Sequence, residues 1–387
     1  MAAAIGSVIA CAGVTSPAHA DDDDSRAKTL GLHIVPSIDI SYEDNIYRVD
    51  RRVEDPIGDV IVSPSIEAQF DKAIGRHDLN LRALLGYDQF VSQSQRSKPR
   101  IEAGATGAFR FGTACSITPA ASYRQQRADY GDINRATENL QHFSTVSADL
   151  SCDRTAGFYP LARYRRDTTR NADAFDYADQ TSDTYRAGLG YRRPSLGAIS
   201  LYYEHVTSDR GALGISNRSN AAGVTFQRAV SPLTSIDVDL RWLDVSSSSA
   251  VIGRYRGPGW TVSASTSIIP RVKITGFTER AIVNDSLIAS GFAIRSSYRL
   301  TGEIGLSELT SISVFSELER RRFRQDAALR PFSYTADRTN EFGAALRRKL
   351  SERTELQFVA SRYDRRTDSS VANYRGIRLT LGATARF

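Results

Sequence analysis

The last fifteen residues, Asn373 to Phe387, alternate strictly between two kinds of side chain. Ile377, Leu379, Leu381, Ala383, Ala385 and Phe387 share one parity, while Arg378, Thr380, Gly382, Thr384 and Arg386 share the other. Successive side chains of a strand point to opposite faces, so this segment makes a strand with one apolar face and one polar, cationic face. Such a strand has two uses. Its apolar face packs on other protein in a soluble sheet, or it touches lipid while the polar face encloses water.

The pattern recurs along the chain. Alternating segments fall at 33–42, 59–70, 77–89, 100–111, 115–126, 140–152, 157–167, 182–192, 197–207, 218–229, 234–245, 259–268, 271–281, 290–300, 310–321, 338–348, 354–364 and 374–387, eighteen in all. In 234–245, Ile236, Val238, Leu240 and Trp242 oppose Asp237, Asp239 and Arg241. In 290–300, Phe292, Ile294, Tyr298 and Leu300 oppose Arg295, Ser297 and Arg299. The connections alternate in length. Short ones carry turn chemistry, as at Gly75-Arg76, Gly112-Thr113 and Ser351-Glu352-Arg353. Long ones fall at 43–58, 90–99, 127–139, 168–181, 208–217, 246–258, 282–289, 322–337 and 365–373. Nine long and eight short connections put both termini on the short-turn side. The expected fold is therefore all-β: a transmembrane, antiparallel, up-and-down β-barrel of about 18 strands, with 16 the near alternative. A soluble sandwich also alternates, but eighteen strands without a second-domain signal favour the barrel.

Composition fits that reading. Mean hydropathy is −0.34 over 387 residues, because only half of each strand would meet lipid. No uncharged apolar run reaches 18 residues, so no transmembrane helix is expected. The net charge of +6 is mostly arginine.

At the N-terminus, Met1 to Ala20 is small and apolar and ends Ala18-His19-Ala20 before four aspartates, a secretory cleavage pattern. No Lys or Arg precedes the apolar run, which leaves the signal without its usual positive charge. Val8-Ile9-Ala10-Cys11 is a weak lipoprotein box. The expected division is a signal peptide at 1–20, a periplasmic segment at 21–32 and the barrel at 33–387, with the mature chain starting at Asp21. Cys115 opens one expected strand and Cys152 closes the next. Antiparallel pairing across 127–139 sets the two opposite each other on one face near the short-turn rim, so a disulfide is expected between them.

Ser41-Tyr42-Glu43-Asp44-Asn45-Ile46-Tyr47-Arg48 ends the first strand. This stretch resembles the opening of the beta-barrel porin 2 family, which also closes on a Tyr-Arg-containing strand ending Arg-Phe, as Tyr374-Arg375 and Arg386-Phe387 do here. The closing strand itself is similar to those of Gram-negative outer-membrane barrels, which implies that Phe387 is a C-terminal assembly signal read by barrel-assembly machinery. The family resemblance implies an outer-membrane location and a passive conduit for exopolysaccharide, with a periplasmic polysaccharide co-polymerase as partner. A general anion-preferring diffusion porin is the first alternative, and an outer-membrane enzyme or a structural barrel is the second. Asp44 and Asn45 are expected to satisfy backbone groups where the strand becomes a loop.

Placing the polar parity inward lines a lumen with Arg82, Arg110, Arg124, Arg163, Arg165, Arg186, Arg241, Arg295, Arg299 and Arg378, together with Asp237 and Asp239. An arginine-rich wall suits anions or an acidic polysaccharide. The competing reading is that these groups pair with acids across strands. The loop 168–181, with Asp173, Asp176 and Asp179, is a candidate to narrow the pore. Catalytic signals are weak, and no catalytic, cofactor or metal residue is expected. His142 and Ser144 share the lipid parity but are set beside Tyr123, with no acid expected there. Glu204, His205 and Asp209 only loosely match an Asp/His protease site. With roughly ten residues between the expected cleavage site and the first strand, no plug domain is expected. Nucleic acid is not an expected partner, because the arginines alternate along strands and do not cluster.

Overall fold

A computed structural model describes residues 31–112, 114–128, 139–152, 154–269, 271–284, 291–324, 335–368 and 373–387. The expected signal peptide and residues 21–30 lie outside the described residues. Gly31 and Leu32 already belong to the first strand, two residues earlier than the alternation marks it.

Eighteen strands follow one another: β1 (Gly31–Glu43), β2 (Asp59–Ile74), β3 (His77–Phe90), β4 (Lys98–Phe111), β5 (Cys115–Arg127), β6 (Leu140–Cys152), β7 (Gly157–Arg170), β8 (Gln180–Arg193), β9 (Gly197–Arg210), β10 (Ile215–Ser231), β11 (Thr234–Ser247), β12 (Tyr255–Ile269), β13 (Val272–Val283), β14 (Phe292–Ser307), β15 (Thr310–Arg324), β16 (Ala336–Lys349), β17 (Thr354–Thr367) and β18 (Tyr374–Ala385). Each pairs antiparallel with its sequence neighbours, and β1 also pairs with β18, so the sheet closes on itself. The closing seam runs from Ser37↔Thr384 to Glu43↔Arg378. Beyond it, the Phe387 N–H donates to the Ile34 carbonyl at 3.0 Å and the Ile34 N–H donates to Phe387 O at 3.1 Å. Closure removes the unpaired backbone edge that a bilayer does not tolerate.

Directly opposed residues share a face, so register alone carries one face around the barrel. Arg378 opposes Glu43 and Ser361, Ser361 opposes Gly343, and Gly343 opposes Phe315. The other face presents exposed apolar side chains, among them Leu300, Val314, Phe342, Leu379 and Leu381. An apolar exterior around a polar interior is the arrangement a lipid-embedded barrel requires.

Most strands outrun the alternation on the long-loop side. The loop expected at 208–217 shrinks to 211–214, because Ile215 pairs with Arg210 and continues the ladder. β7, β15, β16 and β17 likewise extend into the segments expected as loops. Once a strand leaves lipid, both its faces turn polar. Backbone pairing then continues with no alternation to announce it. β14 departs at its other end, running to Ser307 and adding the short turn at Glu308-Leu309. Gly302 and Gly305 blur the pattern there, while pairing with Val314 and Ser311 holds the strand. At the turn after β2, Gly75 takes φ 62°, a left-handed conformation that glycine reaches without strain.

Candidate functional site

The inner wall is the candidate site. Arg82, Arg110, Arg124, Arg163, Arg165, Arg186, Arg241, Arg295, Arg299, Arg378, Asp237 and Asp239 all fall on the face opposite the exposed apolar residues. Most of these arginines are held by acids on the same wall. Arg82 meets Glu67 at 2.8 Å, Arg110 meets Asp78 at 2.8 Å, and Arg299 meets Glu317 at 2.8 Å. Arg163 pairs with Asp149, Arg165 with Asp167 at 2.7 Å, and Arg378 with Glu43 at 2.9 Å. Arg124 lies over the Phe143 ring at 4.9 Å. Cross-strand pairing, the competing reading of this wall, therefore accounts for most of these arginines.

The pairs gather into three built regions. On β8 to β11, Arg186 bonds Glu204 at 2.6 Å and lies 4.1 Å over the Tyr202 ring. The Tyr202 hydroxyl donates to Asp239 at 2.6 Å, and Arg241 reaches the same carboxylate at 3.8 Å. On β13 to β17, Arg295 bonds Glu279 at 2.6 Å, and Asp337 is clamped between Arg321 and Arg365 at 2.5 and 2.7 Å. Asp337 and Arg365 are each 1% exposed at the side chain. Desolvated pairs of this kind are rigid, because parting them would strand a buried charge.

The third region lies at the closing seam. Asn45 donates to the Val49 and Arg375 carbonyls at 2.9 and 3.1 Å, and its Oδ1 accepts the Val49 N–H at 3.0 Å. Asp44 accepts the Ile377 N–H at 2.7 Å. These two side chains turn the loop 44–58 back against the interior. Arg48, the one non-glycine with positive φ among the described residues, at 54°, then places its guanidinium 5.7 Å from Tyr374 and 5.9 Å from Tyr363. Tyr363 donates to Glu43 at 2.7 Å, and Glu43 also holds Arg378. Next to it, Ile46 packs with Ile61 and Phe90, while Arg96 covers the Tyr47 ring at 4.6 Å. The end motifs, Tyr42 to Arg48 and Tyr374-Arg375, thus meet at one place. The loop expected to narrow the pore, 168–181, behaves differently: Asp173 and Asp176 are exposed, and Asp179 pairs with Arg170 at 3.0 Å.

Tyr202, Tyr363, Asp337 and Arg365 were not among the residues picked from sequence, and Arg48 and Tyr374 entered only through the end motifs. A signal existed for two of them. Tyr202 opposes Gly223, and Tyr363 opposes Gly376, on the polar parity. A glycine lets the neighbouring ring lie flat along the wall. A Cβ at Gly223 would stand 2.6 Å from the Tyr202 ring.

Elsewhere, Cys115 and Cys152 are disulfide-bonded with Cα atoms 3.9 Å apart, on the outer face at the short-turn rim. Phe387 is 70% exposed and shares the parity of Leu379 and Leu381. His142 Nδ1 lies 2.7 Å from the Tyr123 hydroxyl on the outer face, with no described carboxylate bonded to either. Glu204 faces inward to Arg186, whereas His205 faces outward to Asn220 at 2.8 Å. These two parts of the loose protease pattern therefore sit on opposite faces.

No family model matches the chain, and no curated protein matches it significantly. The beta-barrel porin 2 resemblance therefore rests on the two end motifs alone. Solved barrels do match. The chain is similar to a BenF-like porin from Pseudomonas fluorescens Pf-5, with TM-score 0.53 and 8% identity over 92% of this chain and 98% of that one. It is similar to Pseudomonas aeruginosa OpdK, solved with vanillate, with TM-score 0.51 and 9% identity over 92% and 99%. Acinetobacter baumannii OccAB4 gives TM-score 0.51 and 9% identity over 93% and 99%. At such identities the likeness is one of fold: a closed, 18-stranded antiparallel barrel of the outer-membrane porin kind.

Proposed function

We propose that this chain is an outer-membrane diffusion channel for small solutes, with a preference for small carboxylates. The observation that carries the reading is the wall itself: guanidinium groups held by carboxylates and tyrosine rings, inside a closed sheet whose other face is apolar. A closed barrel of this size encloses water. A solute carboxylate can take over the two-pronged contact that a wall carboxylate now makes, then pass to the next arginine. The OpdK barrel of similar fold was solved with vanillate, which agrees with this substrate class. The loop 44–58, turned back against the wall beside Arg378 and Tyr363, restricts the loop-side half to small molecules. Polymer export, implied only by the end motifs, gains no further support.

Planar-bilayer recording under a KCl gradient tests the proposal. Discrete channels should appear, with a reversal potential on the anion-selective side and with block by small aromatic carboxylates. Absence of channel events would remove the pore, and cation selectivity would remove the carboxylate preference.

A further inference from the structure

A group of arginines that forms few ion pairs among the described residues lies outside the barrel. On the outer face near the loop-side rim, Arg320 of β15 directly opposes Arg338 of β16, which directly opposes Arg366 of β17. Opposed positions on one face bring side chains within about 5 Å at Cβ, and like charges so placed repel. Arg322, Arg324 and Arg375 extend the patch, and all six are exposed. Asp364 pairs with Arg366 at 3.1 Å, and Arg338 donates to Asn340 at 3.1 Å. Among the described residues, no ion pair forms with Arg320, Arg322 or Arg324, whereas Arg375 directly opposes Asp364 and lies within electrostatic reach of Asp50.

Other sectors of the same rim are built differently. Arg166 has Asp183 at 3.3 Å, Arg170 has Asp179 at 3.0 Å, and Arg254 and Arg256 share Asp244. Exposed arginine at this height does not by itself imply a missing partner; among the described residues Arg218 of β10 forms no ion pair but stands singly, whereas β15 to β17 set three arginines in one row. Beneath the patch, around and below Arg362, the outer face turns mainly apolar, with Phe342, Leu300 and Leu379 exposed. An occupant must therefore be anionic above and greasy below.

We infer that this patch binds the phosphate groups of lipid headgroups in the leaflet at the loop-side rim, with their acyl chains lying on the apolar band. The inference rests on the outer-membrane reading but not on what crosses the lumen. Guanidinium forks match phosphate oxygens two at a time, and a row of three accepts a headgroup carrying more than one phosphate.

The test uses the full mature chain in non-ionic detergent and native mass spectrometry. The probes are lipid A with two phosphates, lipid A stripped of both, and inorganic phosphate. The native chain should favour the phosphorylated lipid at least about ten-fold, an affinity lowered by salt, and inorganic phosphate should compete only at far higher concentration. The triple change Arg320→Gln, Arg338→Gln, Arg366→Gln should abolish that preference, whereas Arg166→Gln should not. Should the triple variant fail to fold, the salt series and the stripped lipid decide on the native chain. Equal binding of both lipids, or an unaltered preference in the triple variant, would overturn the inference. Displacement by inorganic phosphate at matching concentration would overturn the lipid assignment. Conductance is recorded on the same preparations and should match the native channel in the triple variant, so failure here and failure of the channel reading are told apart.

Discussion

Replacing Asp337 with alanine tests whether the wall's buried ion pairs hold the barrel in shape. Arg321 donates to Asp337 through Nε at 3.0 Å and Nη2 at 2.5 Å, and Arg365 through Nε at 3.0 Å and Nη2 at 2.7 Å. Asp337→Ala deletes all four contacts and removes the carboxylate that balances Arg365, which is 1% exposed at the side chain. Removing one partner of a buried pair costs about 3–5 kcal/mol. Arg321 is more accessible and keeps Glu319 at 3.5 Å, so the loss falls mainly on Arg365 and should total about 4 kcal/mol. Equilibrium urea unfolding from lipid vesicles, read by heat-modifiable gel migration, measures it. The second arm adds Arg365→Met to Asp337→Ala. Taking away the unbalanced buried charge should recover at least about half of the loss. A single-variant loss below about 1 kcal/mol, the size of an exposed pair, would refute the argument, as would a double variant no better than the single one.

Four further outcomes are expected. Gly223→Ala places a methyl in the Tyr202 ring and should cost about 1–3 kcal/mol in the same urea assay by displacing Tyr202 from Asp239; equal stability would mean the ring has room. Arg48→Ala removes the guanidinium that ties loop 44–58 to Tyr363 and Tyr374, so single-channel conductance should rise, and an unchanged value would place the restriction elsewhere. Cys115→Ser should lower stability by about 2–4 kcal/mol, since the bridge closes a 37-residue separation, and reductant should have no added effect on the variant. In loop 44–58, the Arg52 side chain bonded to Asp50 holds that carboxyl below its usual range, against the opposing effect of burial. A lowered carboxylate stabilises above its unfolded pKa and is lost as pH falls through the folded one, so conductance should hold from about pH 7 to 5 and change only in stronger acid; a transition near neutrality would exclude Asp50 as its source.

Legibility in the sequence followed lipid. All eighteen strands were visible because the bilayer imposes a strict parity on every segment that crosses it. Where that constraint ended, so did the signal. Asp337 and Arg365 were assigned to loops, although each belongs to a strand and together they form a deeply buried pair. Asp44 and Asn45 were readable as turn-capping residues from their chemistry. That they draw Arg48 against Tyr374 was not, because those residues stand more than three hundred positions apart and meet only when β18 closes on β1.

Side-chain parity is local, so the amino-acid order alone determined the barrel, its strand number, its two faces and the side on which its ends lie. Charge pairing is not local. The same arginine count is compatible with a cationic lumen or with a neutral one. Register decided that the inner wall neutralises most of its own charge, as Glu204 does for Arg186 and Glu43 for Arg378. It also decided that, among the described residues, a row of arginines gathers outside, on β15 to β17. Only the closed sheet brings the acids within reach of one set of guanidiniums and leaves another set facing out.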